Sequence, residues 1–320
     1  MADTPLSPIV TLIGGSGFIG RYIAQTMAKR GWRVRVGCRR PNEALFVKPY
    51  GAVGQVEPVQ CNIRDEASLA AVIAGSEAVV NCVGILFESG KNTFADIQAE
   101  GAGRVARVAA EAGVQRLVHL SAIGADAGSP AGYARTKAAG EAAVLEAFPT
   151  AMILRPSIVF GPEDQFFNRF AAMTRFAPVL PVVGGSTRFQ PVWVQDVAEA
   201  AAQGADGSAP GGIYELGGPR VYTFRELMQV MLDVIRRRRL ILDLPFGLAR
   251  LQATFLQQLP NPPLTVDQVR MLERDNVVAE GAKDFEELGI TPSAPEAIIE
   301  SYLYAHRPNG QFTALKDGDA

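Results

Sequence analysis

Ile9-Val10-Thr11-Leu12-Ile13-Gly14-Gly15-Ser16-Gly17-Phe18-Ile19-Gly20 is the stretch whose reading decides the fold. An apolar, β-branched run leads straight into glycines at 14, 17 and 20, and an apolar-periodic segment opens at Phe18. Strand, tight turn and helix read in that order. With this spacing one glycine makes the bend, one lets backbone N–H groups approach a pyrophosphate, and one lets the helix pack on the strand. Phosphates then face the helix N-terminus, where unpaired N–H groups and the dipole favour negative charge. The candidate contacts from this turn are Gly14, Ser16, Gly17, Phe18, Ile19 and Gly20. A plain tight turn with no ligand is the competing reading, because turns use glycine freely.

Working outward, Ile19, Ile23 and Met27 give the helix one apolar face, and Gly31 closes it. The next strand, Arg33 to Gly37, ends in Cys38-Arg39-Arg40. At this point a dinucleotide-binding fold meets the adenosine ribose: a carboxylate accepts from a free 2′-hydroxyl, whereas arginine accommodates a 2′-phosphate. No Asp or Glu stands beside Arg39 and Arg40, so the residues favour NADP(H) over NAD(H), against a merely solvated arginine pair.

The alternation continues through strands at 55–60, 78–82, 116–120 and 151–154 and helices at 66–73, 94–112 and 132–147. Strands separated by helical segments predict βαβ units: an α/β fold with a Rossmann-type doubly wound parallel sheet of six strands. Asn62, Asn81 with Gly84, and Ser121 with Gly124 fall at strand ends, where such sheets bind ligands, although each also suits an ordinary loop.

Composition narrows the possibilities. A net charge of −2 argues against a nucleic-acid binder. With only His119 and His306 as histidines, a zinc site is not expected. Cys38, Cys61 and Cys82 lie in or beside strands and read as buried thiols of a reducing compartment. No basic segment followed by an apolar core opens the chain, so neither a signal nor a transit peptide is expected.

Tyr133 and Lys137 stand four apart on one helix, where an ammonium can lower a phenol's pKa and ready it for proton transfer. With the glycine turn and Arg155-Pro156-Ser157-Ile158-Val159-Phe160-Gly161-Pro162, this pair resembles the extended or atypical short-chain dehydrogenase/reductases. That resemblance implies catalytic roles for Ser121, Tyr133 and Lys137 if the chain is active, nucleotide contacts from Ser121, Tyr133, Lys137 and Pro156, and a smaller C-terminal α/β lobe. Glu146-Ala147-Phe148-Pro149, Phe167-Asn168-Arg169-Phe170-Ala171 and Gln190-Pro191-Val192-Trp193-Val194-Gln195-Asp196-Val197 sharpen it. Together they look like the nucleotide-binding accessory subunits of respiratory complex I, alpha-subcomplex subunit 9 type, from about residue 8 to 307. This narrower resemblance implies NADPH held as a structural cofactor, other complex I subunits as partners, and a place near the quinone junction with the membrane arm. Ala122 stands where many catalytic relatives carry a second hydroxyl, and the loop 124–132 consists of small residues. Intact Tyr133 and Lys137 leave reductase chemistry open.

The implied organisation is a Rossmann domain over 1–162 with later segments partly interleaved, a smaller lobe over 163–307, and a flexible tail over 308–320. Residues 220–254 hold seven arginines and three carboxylates, including the uninterrupted run Arg236 to Arg239. A helix with a wide apolar face is expected from Phe246 to Leu259, stopped by Pro260-Asn261-Pro262-Pro263. A basic cluster beside an apolar face suits docking of 236–259 on anionic lipid or a partner, against an ordinary core helix. Short helices are expected at 266–273 behind Thr265, at 280–288 and at 295–306.

Three functions remain from the sequence: a non-catalytic complex I accessory subunit, a free NADP-dependent reductase or epimerase, and a redox sensor that reports NADPH occupancy. The expected location is the cytoplasmic face of a bacterial inner membrane, or the matrix face of the mitochondrial one.

Overall fold

The computed structural model describes residues 7–308; residues 1–6 of the first expected domain and 309–320 of the expected tail lie outside the described residues. β1 (Ile9–Ile13) runs into the glycine turn and α1 (Phe18–Lys29), followed by β2 (Arg33–Cys38) and β3 (Val56–Gln60). Then come α2 (Glu66–Ile73), β4 (Ala78–Asn81), α3 (Gly101–Glu111), β5 (Arg116–Leu120), α4 (Gly132–Ala147) and β6 (Met152–Pro156). α5 (Val194–Asp206) and β7 (Gly212–Leu216) complete the layers. The sheet has order β7-β6-β5-β4-β1-β2-β3, and all six pairings are parallel. It therefore holds seven strands, not six. Gly212-Ile213-Tyr214-Glu215-Leu216 carries a weak strand pattern and becomes one by pairing with β6, register Tyr214↔Leu154.

Local signals account for most of these elements. Asp65 caps α2 by accepting from Ala67 and Ser68 N–H at 3.1 and 3.3 Å. Gly31, at φ +83°, ends α1 where an L side chain would be strained. Between sheet and helices lie Leu69, Ile73, Val79, Val105, Ile153 and their neighbours, all but closed to solvent. Each such side chain contributes about 1.5–3 kcal/mol by leaving water.

Two expected helices change form. The segment at 94–112 opens with a π-helical turn, Ala95–Glu100, in which Gly101 N–H bonds Asp96 O, before α3 begins. The 280–288 segment forms turns instead of a helix. Its backbone is claimed elsewhere: β7 donates Glu215 N–H to Lys283 O at 2.8 Å, while Glu287 and Asp284 side chains take nearby N–H groups at 2.7 and 2.8 Å.

The chain forms two compact units. The first comprises residues to Pro156 together with 194–216 and 279–291, so it ends before residue 162 and takes two later segments back. The second comprises 157–193, 217–278 and 292 onward. Its core gathers Phe160, Phe167, Phe189 and Phe224 around the helix Phe224–Val234, which starts in a Thr223/Glu226 capping box. Within it the strand Leu240–Leu244 pairs in parallel with Val179–Val183, and the helix Phe246–Leu256 follows. Thr265 caps Val266–Met271, again with a capping box. The last periodic segment breaks into Pro295–Ile298, Glu300–Leu303 and a final turn.

The basic run is not part of a helix. Arg236 reverses the chain at φ +54°, and alternate arginines turn inward: Nε of Arg237 and Arg239 donate to His306 O and Thr174 O at 3.1 and 3.0 Å. The following helix is inside out. Ala249 and Ala253 are fully buried, whereas Leu251 and Phe255 are 58% and 71% exposed, with Leu248 and Leu259 also outside.

Candidate functional site

Strand order reverses between β1 and β4, so the glycine turn and the segment Asn81–Gly84 meet at one crevice beyond the strand ends. Gly14 N–H donates to Gly37 O at 2.8 Å, Gly15 N–H to Leu12 O at 3.2 Å and Gly17 N–H to Gly14 O at 3.0 Å. A Cβ on Gly20 would lie 2.7 Å from Gly14 O and from Gly15 Cα. Turn and helix are in backbone contact there. No side chain caps α1 at Gly17, and the helix's first backbone bond is Arg21 N–H to Gly17 O at 3.1 Å. The N–H groups of Phe18, Ile19 and Gly20 thus precede any helical acceptor and point from the positive end of the helix. This cradle fits the pyrophosphate of a nicotinamide dinucleotide.

The residues expected to meet the ribose lie at the end of β2. Ser16 and the Arg40 backbone hydrogen-bond the Cys38 thiol, whose pKa burial nevertheless raises. Arg40 pairs with Glu43 at 3.0 Å in solvent. Arg39 is exposed and, among the described residues, has no partner. The sequence reading missed Arg21, whose guanidinium lies 4.7 Å over the Phe46 ring with Nη2 3.4 Å from Ser16 O. Its position one residue past Gly20 was the available signal. Asn62 serves its own turn: its Oδ1 accepts Arg64 N–H at 3.2 Å and its N–H donates to Ser68 Oγ at 3.0 Å.

The Tyr133/Lys137 pair meets at the expected face but not in the expected state. Lys137 Nζ lies 6.0 Å from the Tyr133 ring centroid and donates to Leu120 O at 2.9 Å. Burial pushes the phenol up to about 12 instead of the ammonium drawing it down. Burial also brings Lys137 down to about 8, against the opposing pull of Glu141 and Cys82. A Cβ on Gly84 would sit 3.5 Å from Lys137 Nζ, so Gly84 covers the amine. Pro156 ends β6, and its carbonyl takes Ile123 N–H at 3.1 Å.

Ser121 faces a partner that the sequence did not reveal. Its hydroxyl donates to Glu141 Oε1, and Glu141 is also held by Arg155 at 2.9 and 2.6 Å. Arg155 reaches Glu215 at 3.3 Å, and Glu215 accepts Ala279 N–H at 2.9 Å. Only the fold brings β5, α4, β6 and β7 into this chain of bonds. Beside it, His119 lies buried with Nδ1 3.2 Å from Asn81 Nδ2; burial first, then Lys137, pushes it down to about 3. His119 is therefore neutral. Its Nε2 and the carboxamide of Gln98, on the π-helical turn, have no partner among the described residues.

A doubly wound parallel sheet with a phosphate cradle at its switch point and a Tyr-x-x-x-Lys helix defines an extended short-chain dehydrogenase/reductase fold. The chain belongs to the NAD dependent epimerase/dehydratase family, whose model matches residues 10–217. Over 316 residues it is 37% identical to the NADH dehydrogenase [ubiquinone] 1 alpha subcomplex subunit 9, mitochondrial, of Arabidopsis thaliana, covering 94% of this chain and 79% of that one. It is 30% identical to a ceramide reductase of Caulobacter vibrioides over 74% of each chain. An NADPH-dependent quinone oxidoreductase from Escherichia coli, solved with NADPH, superposes at TM-score 0.71 with 18% identity over 92% of this chain and 99% of that one.

Proposed function

We propose that this chain is an NADP(H)-binding accessory subunit of respiratory NADH:quinone oxidoreductase, holding its nucleotide as structure at the junction of peripheral and membrane arms near the quinone site. The complex I relatives support the assembly, and unpartnered Arg39 supports NADP(H) over NAD(H). One observation carries the non-catalytic part: Ser121 spends its hydroxyl on Glu141, away from any carbonyl it would orient. A raised phenol at Tyr133 points the same way. When bound, a reduced nicotinamide supplies a transferable hydride; this chain's residues cradle its phosphates and cover Lys137.

The outward stripe Leu248, Leu251, Phe255 and Leu259, one strand further along the chain than exposed Arg236 and Arg238, fits the anionic lipid surface beside the membrane arm. No helix among the described residues is long and apolar enough to cross a membrane, so the attachment proposed is peripheral. The cytoplasmic face of a bacterial inner membrane is the proposed side, with the mitochondrial matrix face as the alternative.

The second reading is a free NADP-dependent reductase with Tyr133 as proton donor, Lys137 beside it and Ser121 on the carbonyl. Similarity to the ceramide reductase and the intact pair favour it. Native electrophoresis of gently solubilised membranes separates the two. The accessory reading expects this chain to migrate with NADH:quinone oxidoreductase subunits and to yield NADPH on denaturation. Recovery only as a free protein that oxidises NADPH with a carbonyl substrate would overturn it.

A further inference from the structure

In the second unit Arg175, Arg237, His306 and Arg307 line a cavity of about 230 Å³. Arg307 is fixed twice, with Nε donating to Val234 O at 2.8 Å and Nη2 to Glu300 at 2.7 Å. Arg237 is aimed by a single bond, Nε to His306 O at 3.1 Å, which leaves its terminal nitrogens free to face the cavity. Arg175 stands at the mouth, 5.6 Å over the Phe176 ring. Among the described residues neither Arg175 nor Arg237 pairs with a carboxylate. Glu300 is taken by Arg307, and Asp164, whose charge reaches His306, is itself fully engaged: it accepts N–H from Gly161, Phe166 and Asn168 and O–H from Tyr302. Burial and then the Arg237 charge hold His306 below the ordinary imidazole range, with Asp164 opposing. Arg307 has Glu300, but Arg237 is half-buried without a carboxylate and exposed Arg175 adds a second such charge; a partly buried guanidinium is costly unless an anion joins it, and its fork geometry matches phosphate. The volume falls below that of pockets for drug-sized ligands and suits a charged head group.

We propose that this cavity is a binding site for a phosphate group, held by Arg175, Arg237 and Arg307. Two sources present that chemistry, a soluble phosphate compound and a phospholipid head group. The site is independent of the nucleotide cradle and of the complex I reading.

The test uses the full chain with NADPH in excess, so that the cradle is filled, and titrates inorganic phosphate at constant ionic strength. With two histidines in the chain, the half-buried ring of His306, which lines the cavity, gives an assignable NMR signal. Saturable movement of that signal is expected, with affinity weakened about tenfold or more in Arg237→Gln and in Arg175→Gln, as for loss of one charge-assisted bond. Arg236→Gln and Arg238→Gln, outside the cavity, should change it less than about twofold. Equal losses at all four positions, or no saturable response, would overturn the site. Vesicles of phosphatidylglycerol in phosphatidylcholine then identify the source. Binding that inorganic phosphate competes away and Arg237→Gln weakens means a lipid head group; vesicle binding indifferent to both means a soluble phosphate compound.

Discussion

The hydroxyl of Ser121 donates to the carboxylate of Glu141, one helical turn beyond Lys137 on α4. Arg155 grips the same carboxylate with two bonds, at 2.9 and 2.6 Å. A charge this far from water depends on its counter-charge, since removing one partner strands the other. Arg155→Met should cost about 3 kcal/mol in urea unfolding, and adding Glu141→Leu should recover most of it. A loss under about 1 kcal/mol would mean that Glu141 reaches solvent in the variant.

At the end of β2 Arg39 has no partner among the described residues, while Arg40 is occupied by Glu43. Arg39→Asp should weaken NADPH binding roughly tenfold to a hundredfold and leave NADH binding equal or improved, because a charge-assisted bond of about 1.5–3 kcal/mol becomes a repulsion. Nucleotide fluorescence titration measures both. Unchanged NADPH affinity would remove the 2′-phosphate role.

At Gly20 a side chain would have to enter the space of Gly14 O and Gly15 Cα, each 2.7 Å away. Backbone cannot yield as a side-chain tip can, so Gly20→Val should both destabilise the first unit, by about 1–3 kcal/mol, and abolish nucleotide retention. Thermal melts with and without NADPH read the two effects. A variant that still gains stability from NADPH would show the cradle to be looser than this geometry.

His119 titrates at about 3 in the folded chain against 6.5 for the unfolded residue. The unfolded state then binds more protons between those values, so the stability His119 contributes is full above about pH 6.5 and is lost as pH falls toward 3. Compared with His119→Gln, the native chain should lose several kcal/mol more between pH 6.5 and 4, in order-of-magnitude terms. Parallel acid-unfolding curves would show that the ring is solvated.

Much of this was legible from local pattern. The spacing of Gly14, Gly17 and Gly20 reports turn and helix because backbone clearance is set by immediate neighbours, and the bounds of α2, β5 and α4 follow the apolar period residue for residue. The pattern failed where distant groups competed for the backbone. Residues 280–288 have helical periodicity, yet β7 takes the Lys283 carbonyl and the helix does not form. Helical spacing at 246–259 marked an apolar helix without saying which side is covered. The structure buries the two alanines and turns the large side chains out.

By itself, then, the sequence determined the βαβ order, the tight glycine turn into α1, the place of Arg39 and Arg40 at the end of β2 and the shared face of Tyr133 and Lys137, all consequences of contacts within a few residues. Tertiary structure alone decided the seventh strand, the engagement of Ser121 by Glu141, the raised phenol of Tyr133, and the meeting of Arg175, Arg237 and Arg307 around one cavity. The reason is physical. Burial and partner choice depend on residues tens or more than a hundred positions apart, and those two quantities set whether a hydroxyl is free, a proton is held or a charge is paired.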